Sequence, residues 1–169
     1  NRQWRAHVDG SGVYDFGFQL NGRDEYPQSV LDGEEQYGEI GEAWIRGTLS
    51  DSVDIKIGRQ IVIWGKSDSL RVTDVLNPLD NRFPGMADIE DIRLPVTMAK
   101  LDYYMGDWGI SAMVIPEFRA MRLPADGSEF DPFTTALPPE SKPDGTEYAL
   151  AINGMFSGWD LSLYWADLY

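Results

Sequence analysis

His7 is the only histidine in the chain, and Asp9 and Ser11 follow it at intervals of two. An imidazole, a carboxylate and a hydroxyl are the parts of a nucleophilic triad. The spacing places all three on one face of a strand, with neighbours about 6.6 Å apart at a rise of ~3.3 Å per residue. A triad needs side chains in hydrogen-bond contact, so this set reads as a polar strand face. Asp88, Glu90 and Asp91, with Asp80 nearby, carry the carboxylate oxygens that hard cations take. They lack the glycine and terminal glutamate of an EF-hand loop, and Arg71, Arg82 and Arg93 are at hand to pair with them. A solvated, charge-paired loop is expected, with no metal. Gly10, Gly12, Gly17 and Gly41 do not lead from a strand into a helix as a phosphate-binding loop requires. No catalytic residue, cofactor or enzyme activity is expected.

Composition narrows the classes further. The 169 residues hold 28 acidic and 14 basic side chains, a net charge of −14, and the pI is near 4.3. Nucleic-acid binding needs a basic stripe, so it is excluded as the expectation. The absence of cysteine removes disulfide frameworks and thiolate chemistry. No run of about eighteen apolar residues is present, so no transmembrane helix is expected. A mean hydropathy of −0.34 suits a soluble protein and equally a membrane β-barrel, whose strands are only half apolar. The chain starts at Asn1 without a signal peptide and stops at Tyr169 inside an alternating run, which reads as a mature segment or fragment.

The elements that must position the polar residues alternate with a period of two, the signature of strands. Trp4 to Leu20 keeps one parity throughout and reads as a single long strand, with Asp9-Gly10-Ser11-Gly12 as the only competing turn. Glu42–Leu49 and Val53–Ile57 follow, separated by a short turn at 50–52. Gly58 marks a bulge there, or Arg59 sits at the end of the apolar band. Thr97–Met105 and Trp108–Val114 flank Gly106-Asp107, and two further strands flank Ser157-Gly158. No long helical period appears.

The connections at 21–36, 65–96 and 117–145 are long and polar, whereas those at 50–52, 106–107 and 157–158 are tight. Alternating long loops and short turns is the pattern of an outer-membrane barrel. Trp4, Tyr103, Trp108, Trp159, Trp165 and Tyr169 lie near strand ends, as interfacial aromatic girdles do. The competing reading is a soluble β-sandwich or barrel with these rings in its core. The expected fold is all-β, an antiparallel up-and-down transmembrane barrel, of which this chain supplies about seven strands of a larger set.

Ile57-Gly58-Arg59-Gln60-Ile61-Val62-Ile63-Trp64-Gly65, then Val75-Leu76-Asn77-Pro78-Leu79-Asp80, then Asp88-Ile89-Glu90-Asp91-Ile92-Arg93-Leu94-Pro95 form a distinctive succession. Ala99-Lys100-Leu101-Asp102-Tyr103-Tyr104 and Ile115-Pro116-Glu117-Phe118-Arg119 continue it. This order resembles a family of Gram-negative outer-membrane proteins, domain-of-unknown-function family 1302, best over residues 40–130. The resemblance implies an outer-membrane β-barrel, discussed with exporters of hydrophobic compounds, and hence periplasmic export partners.

The expected function is a porin-like channel or export conduit, with the outer-membrane bilayer and a passing small solute as partners. The runner-up is a soluble all-β protein with an aromatic-lined ligand groove. Arg5, Asp9, Glu42, Arg46, Lys56, Lys100 and Asp102 are expected to face the lumen. Residues 65–96 carry apolar positions that a free loop does not need, among them Leu76, Leu79, Phe83 and Ile89. The segment either packs against neighbouring loops outside or folds into the barrel mouth as a constriction loop, presenting Arg71, Asp80, Arg82, Asp88, Glu90, Asp91 and Arg93 to the solute, so that removing 70–92 widens the path.

Overall fold

Seven strands follow one another in chain order within a single sheet, β1-β2-β3-β4-β5-β6-β7. The computed structural model describes residues 3–65, 73–132 and 143–169. The strands are β1 (Trp4–Tyr14), β2 (Gln36–Ser50), β3 (Val53–Gln60), β4 (Val96–Met105), β5 (Trp108–Ile115), β6 (Glu147–Phe156) and β7 (Trp159–Asp167). Every neighbouring pair is antiparallel. The sheet is open, with β1 and β7 as its two edges. Among the described residues helix is confined to short segments between β1 and β2, the first being α1 (Gly17–Leu20). Among the described residues no helix is long and apolar enough to cross a membrane.

The long first strand expected from Trp4 to Leu20 is shorter than its parity. Asp15 stops it: Oδ1 accepts the backbone N–H of Gly17 at 2.7 Å, an Asx turn that carries the chain into α1. Phe16, Phe18 and Leu20 keep the parity by coincidence. The competing turn at 9–12 does not form either; β1 runs straight through it.

Cross-strand register sorts the side chains into two faces. On one face Val53, Tyr103, Ile110, Ile152 and Leu163 lie in a row, and Ile55, Leu101, Ala112, Leu150 and Trp165 form the next. On the other, Lys56, Lys100, Met113, Ala149 and Ala166 are in line, followed by Asp54, Asp102, Ser111, Ala151 and Tyr164. The first face is left open: Ile45, Ile57, Leu101, Val114, Leu163 and Trp165 are all exposed. The second is partly covered. Val62, Trp64 and Leu76, from the β3–β4 connection (61–95), pack there on Val96, Met98, Met113, Ile115, Ala149 and Ala151. The buried core of this chain is therefore built on the charged side of the sheet.

Two irregularities set which residues share that side. The β1–β2 register shifts between Val8 and Gly10, where Val8 pairs with Ala43 but Gly10 with Ile40. The extra residue on β2 turns Glu39 to the same side as Glu42, although three positions separate them. The Asp9 carboxylate fills the bulge: Oδ1 accepts the Glu42 N–H at 3.0 Å. It would lie 1.8 Å from a Cβ at position 41, so any other residue there displaces the carboxylate from the bulge.

Gly58 is the second, and it is not a bulge. Pairing with β2 and β4 is continuous through it, but its φ is +126. Arg59 lies one residue from the end of β3, and its guanidinium meets Glu117 and Glu39.

A Cβ at Gly58 would sit 2.3 Å from the Ala43 carbonyl oxygen. Gly58→Ala thus combines a disfavoured backbone region with a backbone clash, and is expected to cost more than the ~1–3 kcal/mol of strain alone. A markedly lower unfolding temperature checks this; an unchanged transition contradicts it.

Candidate functional site

The charged side carries an unusual row. Arg5 pairs with Arg46, Arg46 with Lys56, and Lys56 with Lys100, so four cations stand directly opposite one another across four strands. Like charges in that relation repel. Acids in the adjoining rows offset them. Asp54 accepts from Arg46 at 3.1 Å, Glu42 lies 3.4 Å from Lys56, and Asp102 binds both Lys100 and Ser111. The Lys56 ammonium also sits 4.3 Å above the Trp44 ring. With Asp9, the seven residues expected to face a lumen lie on this one side of the sheet.

The sheet hands over to the β3–β4 connection through side-chain hydrogen bonds. Glu42 Oε1 accepts the Ile61 N–H at 2.9 Å, where the chain leaves β3. Gln60, fully buried, donates to the carbonyls of Lys56, Gly58 and Met98. Asn77 closes the crossing: Oδ1 accepts the Val62 N–H at 2.8 Å, while Nδ2 donates to the carbonyls of Gln60 at 3.1 Å and Leu94 at 3.0 Å. One amide thus ties both ends of the connection together. Trp64 extends the contact to β7, its ring 5.2 Å from that of Tyr164.

Beyond Asn77 the chain is held by charge. Leu79 forms a bridge with Arg93 and Asp80 with Arg122. Arg82 donates from Nε and Nη2 to the Asp80 carboxylate, the latter at 2.7 Å, and from Nη1 to the Gly33 carbonyl. Its guanidinium lies 4.0 Å over Tyr37. Arg93 is buried against Asp74 at 2.8 Å. Glu39 receives Arg119 and Arg122 and stands 3.6 Å from Arg59. Arg59 in turn reaches Glu117, whose other oxygen accepts the Thr97 N–H at 2.8 Å. Burial would push the Asp80 carboxyl up, but the hydrogen bonds and charge of Arg82, joined by Arg122, outweigh it and hold the group below the usual carboxylate range. For Glu117 burial is likewise outweighed, by Thr97 and Arg59, and its carboxyl is also lowered.

A cavity of about 530 Å³ remains between the connection and the sheet, lined by Arg46, Asp54, Lys56, Lys100 and Asp102 with Trp64 and Tyr164. A second of about 530 Å³ opens beside Arg82, among Phe83, Phe130 and Glu34.

A family model described as protein of unknown function (DUF1302) matches residues 1–169. The chain belongs to that family. No curated protein and no solved structure matches it. In this DUF1302 chain the distinctive residues are those that make the crossing. Gly58, Arg59 and Gln60 end β3, Trp64 enters the core, and Asn77 and Asp80 hold the return. Glu117 and Arg119 fasten the far side, Arg119 donating to the Pro95 carbonyl at 2.8 Å.

The expected constriction residues divide. Asp80, Arg82 and Arg93 are in the network, whereas Asp88, Glu90 and Asp91 are exposed. Arg82 pairs with Asp80, one of the carboxylates expected for it, whereas Arg93 takes Asp74, outside the expected set. Arg71 lies outside the described residues. His7 differs from its expectation: Nε2 is 2.6 Å from Asp9 Oδ2, because side chains lean together further than the strand rise suggests. No bond from Ser11 completes a triad among the described residues. His7, Asp9 and Glu42 bring ligand atoms within 4.8 Å of one another, but Asp9 and Glu42 already accept backbone N–H groups. Sequence reasoning missed Glu39, Gln60, Asn77 and Arg122.

Asn77→Ala leaves the Val62 N–H and two carbonyls unsatisfied in a buried place, a loss of about 2–4 kcal/mol. Faster hydrogen exchange at 61–64 and 92–95, with the β5–β7 amides still protected, checks it.

A second expectation concerns pH. Carboxylates lowered in the folded state stabilise it fully above the ordinary range, and the benefit is lost as pH falls through the lowered values. The connection should stay docked at pH 5 and loosen below about pH 4. Cleavage of 73–95 by proteases active at each pH reports this; release between pH 6 and 8 contradicts it.

Proposed function

We propose that the chain is part of an outer-membrane β-barrel whose charged face lines a solute path, with the β3–β4 connection narrowing it. The observation that carries this reading is the division of the sheet into one exposed apolar face and one charged face. A soluble sandwich would cover the apolar rows with a second layer; here they stand open across all seven strands. Hydrocarbon is the medium in which such a surface is stable. Strands of 8 to 15 residues are of spanning length. Exposed Trp4, Tyr103 and Trp159 at the short-turn end, with Tyr148 and Tyr169 towards the other, fit two interfacial levels.

In this reading the lumen is polar and passage is passive. The four-cation row with its interleaved acids lies along the wall, and solutes are sorted by size and charge beneath the connection. Low dielectric at a narrow point strengthens each fixed charge. The family resemblance adds export of hydrophobic compounds and periplasmic partners to this proposal. Removing 70–92 would take away Leu76 and Asn77, which belong to the core, so loosening the crossing is the gentler route to a wider path.

Spin labels at Leu101 and Asp102 test the orientation in full-length protein in bilayers. Oxygen should reach the label at 101, and a water-soluble relaxant the label at 102. Equal accessibility at both rejects the barrel. Transport is read separately: Asn77→Ala should raise single-channel conductance, and inserted protein without conductance steps rejects the channel.

A further inference from the structure

The cavity beside Arg82 is unlike the one on the sheet. Its walls combine the rings of Tyr37, Phe83 and Phe130 with the carboxylates of Glu34, Asp91 and Glu129. Phe83 and Phe130 meet edge to face at 5.9 Å. Glu34 is the deciding residue. Only 7% of it is exposed, and its Oε1 has no hydrogen-bond partner among the described residues. A buried carboxylate oxygen without a donor is costly, and the cost is removed by a donor that arrives with a ligand. The chain itself shows what the walls accept: the Arg82 guanidinium lies 4.0 Å from the Tyr37 centroid and 5.7 Å from that of Phe83. Arg82 is committed to Asp80, however, and leaves Glu34 unanswered.

We propose that this cavity binds an organic cation with an ammonium group on an aryl or alkyl body. The ammonium pairs with the Glu34 carboxylate, and the body packs on Phe83 and Phe130. Exposed Asp91 and Glu129 add attraction at the rim. A neutral analogue retains the packing and loses the charge-assisted bond, and an anion is repelled by the carboxylates of the walls. The inference stands on the cavity and holds whether or not the sheet closes around a pore.

Full-length protein in detergent is titrated calorimetrically with phenethylammonium, 2-phenylethanol and phenylacetate. The ammonium should bind at least tenfold more tightly than the alcohol, and phenylacetate should not bind. Glu34→Gln should weaken the ammonium at least tenfold and leave the melting temperature unaltered. Phe83→Leu keeps an apolar wall without the ring, and should weaken the ammonium several-fold while sparing the alcohol. Equal affinity for ammonium and alcohol overturns the proposal, as does absence of ammonium binding at millimolar concentration. Unchanged affinity in a normally melting Glu34→Gln protein also overturns it; if that variant does not fold, Phe83→Leu decides. Loss of conductance or of membrane insertion bears on the pore reading alone.

Discussion

The amide of Asn77 is the point on which the rest depends. A chain that leaves a sheet and crosses its face must satisfy its backbone groups somewhere other than a strand ladder. Asn77 has an acceptor and two donors on one planar group, and it answers Val62, Gln60 and Leu94 at once. No other side chain except glutamine has that set, and glutamine is longer. With the crossing closed, Val62, Trp64 and Leu76 can remain on Met98, Met113 and Ile115, and a core forms where a strand lattice alone would leave a wet, charged surface.

Charge is distributed to suit this arrangement. The chain is strongly acidic, yet its cations are concentrated on one side of the sheet and on the segments that pack there. Arg59, Arg82, Arg93, Arg119 and Arg122 each meet a carboxylate, and Glu39 serves three of them. Pairs of this kind contribute little when exposed. Here they lie under the connection, where a missing partner would leave a charge stranded. Their work is positional: they fix which segment lies against which strand.

Much of this was legible in the sequence, for a simple reason. Strand parity has a period of two, and a polar residue between apolar ones announces its face without knowledge of the partner strand. Lys100, Asp102 and Lys56 were readable in that way. Parity misled at Phe16, Phe18 and Leu20, because an Asx turn at Asp15 ends a strand without disturbing the alternation of residue types. It also hid Glu39, whose facing depends on an extra residue three positions away and on an Asp9 carboxylate from another strand. Gln60 and Asn77 are short polar residues in apolar surroundings. Their role is defined by backbone groups up to 38 positions distant, and local pattern holds no trace of such partners. The motif Asn-Pro-Leu-Asp pointed to the right place without saying what is done there.

Residues 61 to 64 reach Glu42 on β2 at one end and Tyr164 on β7 at the other. Those strands stand five places apart, roughly 24 Å along a flat sheet. Four residues therefore act as a chord drawn across an arc. Any change in the bend of the sheet alters the distance the chord must span, and any slackening of the chord frees the sheet to bend. The curvature of the sheet and the position of the segment that crosses it are thus one mechanical variable instead of two.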